Sequence, residues 1–128
     1  MTKQSFKTPF LVLAVVALLL VVLSGKCCWD HGELLVRVAL AEEQMVIFED
    51  MRIKASRSKP AEAVEYLEYA LDYYPSGSKQ VEGSRLDRMV ERARGSAVSA
   101  ILADLRNRSG KDFGDDPQRW INQFKSRK

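Results

Sequence analysis

Cys27 and Cys28 are adjacent, and the single histidine of the chain, His31, follows three residues later. Thiolates and an imidazole are donors that zinc accepts, but a four-coordinate site needs further ligands, and no matching cysteine or histidine lies downstream. Neighbouring side chains in regular backbone point apart, so a bond between the two thiols would be strained. Three fates stay open for the pair. In an oxidising compartment they are candidates for an intermolecular disulfide. At a membrane boundary facing a cytoplasm they could be acylated, or they simply finish the apolar run that precedes them.

The other residues with chemical potential fail on spacing. Asp112-Phe113-Gly114 has the residue types of a kinase magnesium site, yet no glycine-rich loop, strand lysine or catalytic loop accompanies it. Asp112, Asp115 and Asp116 lack the alternating spacing of a calcium loop. No set of serine, cysteine and histidine and no paired-carboxylate pocket can be assembled. The sequence therefore reads as a non-enzyme with no catalytic residue, no metal site and no cofactor.

Charge gives a weak indication of partner. All 17 acids and 18 of the 20 basic residues lie after Gly25. From Asp30 to Pro75 there are ten acids and five bases, and from Lys79 to Lys128 twelve bases and seven acids. Halves of opposite sign can pack on each other, or the basic half can face an anionic surface. Arg85, Arg88, Arg92 and Arg94 are interleaved with Asp87 and Glu91, which reads as a solvated face with local ion pairs rather than a phosphate-binding strip. Tyr66, Tyr69 and Tyr73 sit at helical spacing beside an apolar stripe, as at a core margin. A stacking platform would be the sharper reading, but the helix is acidic, which argues against nucleic acid.

The stretch that must position everything else is Phe10 to Leu23, FLVLAVVALLLVVL. Uncharged residues extend from Thr8 to Gly25, roughly 27 Å of helix against a hydrocarbon core of about 30 Å. Lys7 and Lys26 flank it where they can snorkel, and Trp29 stands where an interfacial aromatic anchors the exit side. The favoured reading is a retained anchor in the lipid bilayer. A cleaved secretory signal is the alternative, with Lys3 and Lys7 as its basic region, which would make the body secreted or periplasmic. A soluble helix buried in its own fold is the third. A lipoprotein signal is disfavoured, because Lys26 precedes Cys27. Basic residues at the N-terminal end point that end into the cytoplasm and the body outside.

The expected organisation is an anchor or signal segment over residues 1–25, a juxtamembrane connector over 26–32 and a helical body over 33–128. In the first body helix, from Glu33 to about Lys54, Leu34, Val38, Ala41, Met45 and Phe48 share a face. Pro60 opens a second helix running to Tyr74, with Val64, Leu67, Leu71 and Tyr74 on one face and Ala63 and Ala70 widening it. Pro75-Ser-Gly-Ser stops it. A third helix runs from near Ser84, as an imperfect capping box with Asp87, to about Asn107, with Leu86, Val90, Ala93, Ala97, Ala100, Ile101 and Leu105 facing inward. Asp116 caps and Pro117 opens a short fourth helix to about Lys125. Phe113, Trp120 and Phe124, with Asp116 and Pro117, form a candidate structural clasp that docks the tail.

The run from Gly110 to Phe124, GKDFGDDPQRWINQF, is similar to the closing segment of bacterial HEAT-repeat-like proteins and of small anchored or secreted helical proteins. Gly110, Phe113, Gly114, Asp116, Pro117, Trp120 and Phe124 occupy the matching positions. The resemblance covers about fifteen residues, and the rest of the chain shows no helix-pair repeat at a period of about 40. It implies a structural closing element on an all-α body, with protein binding as the usual role of such repeats. The expectation is thus an all-α protein: one N-terminal transmembrane or signal helix and a bundle of about four helices. Its expected function is to bind a protein partner or to form a homo-oligomer in the cell envelope, the alternative being an anionic surface or ligand.

Overall fold

The structure, a computed structural model, describes residues 7–126, with side chains from residue 9 onward. It is all-α, as expected. Helix α1 spans Lys7–Arg57, α2 Pro60–Asp72, α3 Arg85–Ser109 and α4 Pro117–Lys125, with no strand among the described residues. The chain divides into two compact units, one ending at Val36 and the other beginning at Arg37. That boundary falls a few residues later than the expected start of the body.

The first unit is helical throughout its described residues. A helix satisfies its backbone donors and acceptors within the segment, which an apolar stretch requires wherever water is excluded. The expected connector, residues 26–32, is helical, with Gly25 and Gly32 both inside α1. Each costs only about 1 kcal/mol relative to alanine, too little to break a helix flanked on both sides by strong helix formers. The most apolar window of α1 is 0% buried.

The second unit begins within α1, whose inward face carries Ala41, Gln44, Phe48 and Ala55, all buried, with Met51 packed on the same core. The spacing alternates between three and four, as one face of a helix requires. Of the expected stripe, Ala41 and Phe48 are on it. Val38 is 43% exposed and Met45 sits at the margin; in the first unit, Leu34 is likewise exposed. A buried glutamine takes the place that an apolar residue was expected to hold, so a count of apolar residues alone misplaces the seam.

Helix α2 buries Ala63, Val64, Leu67 and Ala70, and packs against both α3 and α4. Helix α3 contributes Val90, Ala97, Val98, Ile101, Leu102 and Leu105, and α4 contributes Trp120 and Ile121. Alanine at so many inward positions lets the helices approach closely, and the large side chains Phe48, Leu67, Ile101, Leu105 and Trp120 fill the space between them.

Caps fix the helix ends. Ser84 Oγ accepts from the Asp87 amide at 3.1 Å, and Asp116 Oδ1 accepts from the Gln118 amide at 3.0 Å. Gly110 ends α3 at φ 64°, a left-handed conformation that glycine adopts without a Cβ clash. Helix α2 stops at Asp72 rather than Tyr74, and Tyr74 itself has φ 41°.

Two arginines of α3 close the other helices. Arg94 is buried and donates to the carbonyls of Ala70 and Leu71, each at 2.9 Å, and of Tyr74 at 2.6 Å. Arg108 donates to the Ala55 carbonyl at 2.8 Å and to that of Ser58. The last carbonyls of a helix have no partner within it, and these guanidinium groups supply one. The reading of Arg94 as part of a solvated face is corrected by this contact.

Candidate functional site

The side chains from Phe10 to Leu23 present leucine, valine and phenylalanine outward, with every large one exposed. Lys26 is exposed and Trp29 is 77% exposed. The side chain of Lys7 and all of Lys3 lie outside the described residues. The helix is long and apolar enough to cross a membrane or to serve as a signal sequence. Chemically, such a surface gains about 25 cal/mol per Å² of apolar area when it is taken out of water.

Cys27 and Cys28 are both free and exposed. Cys28 lines an apolar groove with Trp29, Gly32, Glu33 and Val36, while Cys27 shares another with Leu23, Lys26, Asp30, His31 and Leu34. The thiols thus point to different grooves of α1, as adjacent helical residues must. No group of three or more histidine, cysteine, aspartate or glutamate side chains is arranged to hold a metal among the described residues.

In the second unit the C-terminal residues come together. Phe113 and Trp120 meet edge to face with ring centroids 4.9 Å apart, Phe113 and Phe124 at 6.5 Å, and Trp120 stacks on Phe124 at 6.4 Å. Trp120 is fully buried, and its Nε1–H donates to the Gly114 carbonyl at 2.8 Å. Arg106 holds the same loop from α3, pairing with Asp112 and Asp115, each at 3.0 Å. Those pairs keep the Arg106 guanidinium charged, and the Gly114 amide followed by Arg106 holds the Asp112 carboxyl below its ordinary range. Every polar group of the loop so engaged serves the fold. Asp116 is spent as a cap and Pro117 as the first turn of α4.

Asp87, expected on an exposed face, is buried under the loop that joins α2 to α3. Its carboxylate accepts from Ser76 Oγ at 2.7 Å, Gly83 N at 2.9 Å and Gly77 N at 3.2 Å. These donors lower its pKa, the Ser76 hydroxyl contributing most. The signal was available in the sequence: Ser76-Gly77 and Gly83-Ser84 bracket a turn whose unpaired amides need an acceptor.

The tyrosines gather at the end of α2. Tyr69 and Tyr73 lie 5.3 Å apart, Tyr73 meets Phe48 edge to face at 6.0 Å, and Lys79 Nζ sits 3.9 Å from the centroid of Tyr74. Burial of the Tyr73 hydroxyl raises its pKa. Lys79 lies over the Tyr74 ring and reaches Glu43 at 3.7 Å, and Tyr73 packs on Phe48, so the rings are braced against α1 rather than splayed for stacking.

One surface of the body was not anticipated. Glu42, Met45, Val46, Glu49, Asp50 and Ile53 line a shallow hollow on the outer side of α1, with an apolar floor and a carboxylate rim. The sequence shows these acids as residues lying off the buried seam, without showing the exposed valine and half-buried methionine between them. No protein-family model, no curated protein and no solved structure matches this chain.

Proposed function

We propose that this protein is a single-span, membrane-anchored helical protein of the cell envelope, whose body binds protein rather than transforming a substrate. The observation that carries the reading is the fully exposed apolar window of α1, which is stable in water only if something covers it. A bilayer fits its length, and Lys26 and Trp29 are placed as interfacial residues are. The charge bias at its two ends supports a cytoplasmic N-terminus with the body outside.

For the body, protein binding is supported by the apolar hollow on α1 and by the likeness of the closing segment to HEAT-repeat-like proteins. Binding of an anionic surface through the basic half draws less support, because Arg94, Arg106 and Arg108 are committed to internal carbonyls and carboxylates. Alkaline carbonate extraction of membranes, with the mass of the mature chain measured, tests the anchor. Retention in the pellet at the full 14.5 kDa is the expected result. An intact chain released to the supernatant overturns the anchor, and a shortened chain that is released means export after cleavage.

A further inference from the structure

We propose that the partner is a second copy of this chain, with the α1 hollow of one copy seated on the outward face of α3 in the other. This deepens the protein-binding reading and rests on it. The hollow cannot be filled from within, since the buried face of α1 carries Ala41, Gln44, Phe48 and Ala55 on another side of the helix. Val46 stands 62% exposed on its floor.

The complementary surface lies on α3. Met89 is 42% exposed there, among the exposed Arg85, Arg88 and Arg92. The two faces have the same spacing. Glu42 and Glu49 are seven residues apart with Met45 and Val46 between them, and Arg85 and Arg92 are seven apart with Met89 between them. Seven residues are two helical turns, about 10.5 Å. Two carboxylates therefore meet two guanidinium groups at the same separation, while a methionine enters an apolar floor that it can fill by rotating its thioether. The pattern is nearly symmetrical about its centre, so it matches with the helices either parallel or antiparallel.

Glu42, Arg85 and Arg92 make no hydrogen bond or ion pair among the described residues. Glu49 holds Arg52 at 2.5 Å and is ionised at neutral pH, so it can share its carboxylate with a second guanidinium. The contact is heterologous, the α1 hollow of one copy meeting the α3 face of another. Confinement of both copies to one membrane would raise their effective concentration.

The test uses the full chain in mild detergent, with protein mass measured by sedimentation over a range of concentration and salt. A dimer that weakens as salt rises is expected. The double variants E42R/E49R and R85E/R92E should each associate about tenfold more weakly or worse, since like charges then face each other. An equimolar mixture of the two variants should pair again, because every contact in the mixed dimer regains opposite charges. Unchanged helical circular dichroism and tryptophan emission show that the variants remain folded. A wild-type monomer at all concentrations overturns the pairing, while carbonate retention would leave the anchor standing. A dimer that survives both reversals, or a mixture that fails to pair, also overturns it; the first of these would place self-association on another surface.

Discussion

The guanidinium carbon of Arg94 lies 4.8 Å from the ring centroid of Phe48, so a charged side chain of α3 sits over the aromatic core residue of α1. The same group reaches the carbonyls at the end of α2 and pairs with Glu91 at 3.2 Å. One side chain therefore joins three helices. Its planar fork makes this possible, because five donors diverge from a single rigid group that also stacks on a ring.

Arg94→Met keeps the volume and removes the donors, leaving the Ala70, Leu71 and Tyr74 carbonyls short of partners. Hydrogen bonds from a charged group contribute about 1.5–3 kcal/mol, and the variant should lose about that much stability. Arg94→Lys should recover only part, since one ammonium cannot span the same carbonyls. Thermal unfolding of the detergent-solubilised chain, followed by helical signal, gives both numbers. A lysine variant as stable as wild type would remove the fork from the argument.

Asp87 makes the body sensitive to acid. Its carboxyl titrates below its value in the unfolded chain, 3.8, because Ser76 and the amides of Gly83 and Gly77 favour the ionised form. The stability it contributes is thus fully present above that unfolded value and is lost as the pH falls through the folded one. Melting temperature should be level from neutral pH to about pH 5 and then drop. Asp87→Asn should lower it at neutral pH and flatten the acid limb. Parallel acid limbs in the two proteins would show that the dependence arises elsewhere.

The helices were legible because their punctuation is chemical. Pro60, Ser84, Gly110, Asp116 and Pro117 each act at a helix end in the way their side chains dictate, and α4 falls where the Asp116-Pro117 pair placed it. The inward face of α1 was only half legible, since Gln44 is buried where Met45 was expected. Arg94 and Arg108 were not legible at all. Whether an arginine ion-pairs in water or closes another helix depends on contacts 20 to 53 residues away in sequence, which no local period encodes. The hollow on α1 was hidden for the same reason: its apolar floor becomes a feature only once the buried face is known.

Membrane retention should fail when charge is placed inside the apolar run. Leu18 lies in its middle and is exposed, so Leu18→Arg introduces a cost of about 2.5–3.5 kcal/mol at the centre of a span. The variant chain should be lost from the carbonate pellet, whereas Leu18→Ile should stay in it. Equal retention of both would mean that something other than hydrocarbon covers this helix.

Trp120 separates packing from hydrogen bonding in the C-terminal clasp. Trp120→Ala removes a fully buried ring that packs on both Phe113 and Phe124 and should cost about 3–5 kcal/mol. Trp120→Phe keeps an aromatic ring and leaves the Gly114 carbonyl unpaired, and should cost less, by an amount that includes about 1 kcal/mol for the lost bond. Urea unfolding measures each. If the alanine variant were no less stable than the phenylalanine one, the clasp would not anchor the tail.

The same substitution should have opposite signs at Gly95, inside α3, and at Gly110, just past its end. Gly95 has ordinary helical backbone and nothing within 4 Å of the position a Cβ would take. Gly95→Ala should therefore stabilise the body by about 1 kcal/mol, the difference in helix propensity. Gly110 also has open space around it, but its φ of +64° lies in the left-handed region. Gly110→Ala forces a Cβ into contact with its own backbone and should destabilise by about 1–2 kcal/mol. Because neither site touches a neighbouring side chain, the contrast isolates backbone conformation from packing. Two changes of the same sign would mean that the helix does not end at Ser109.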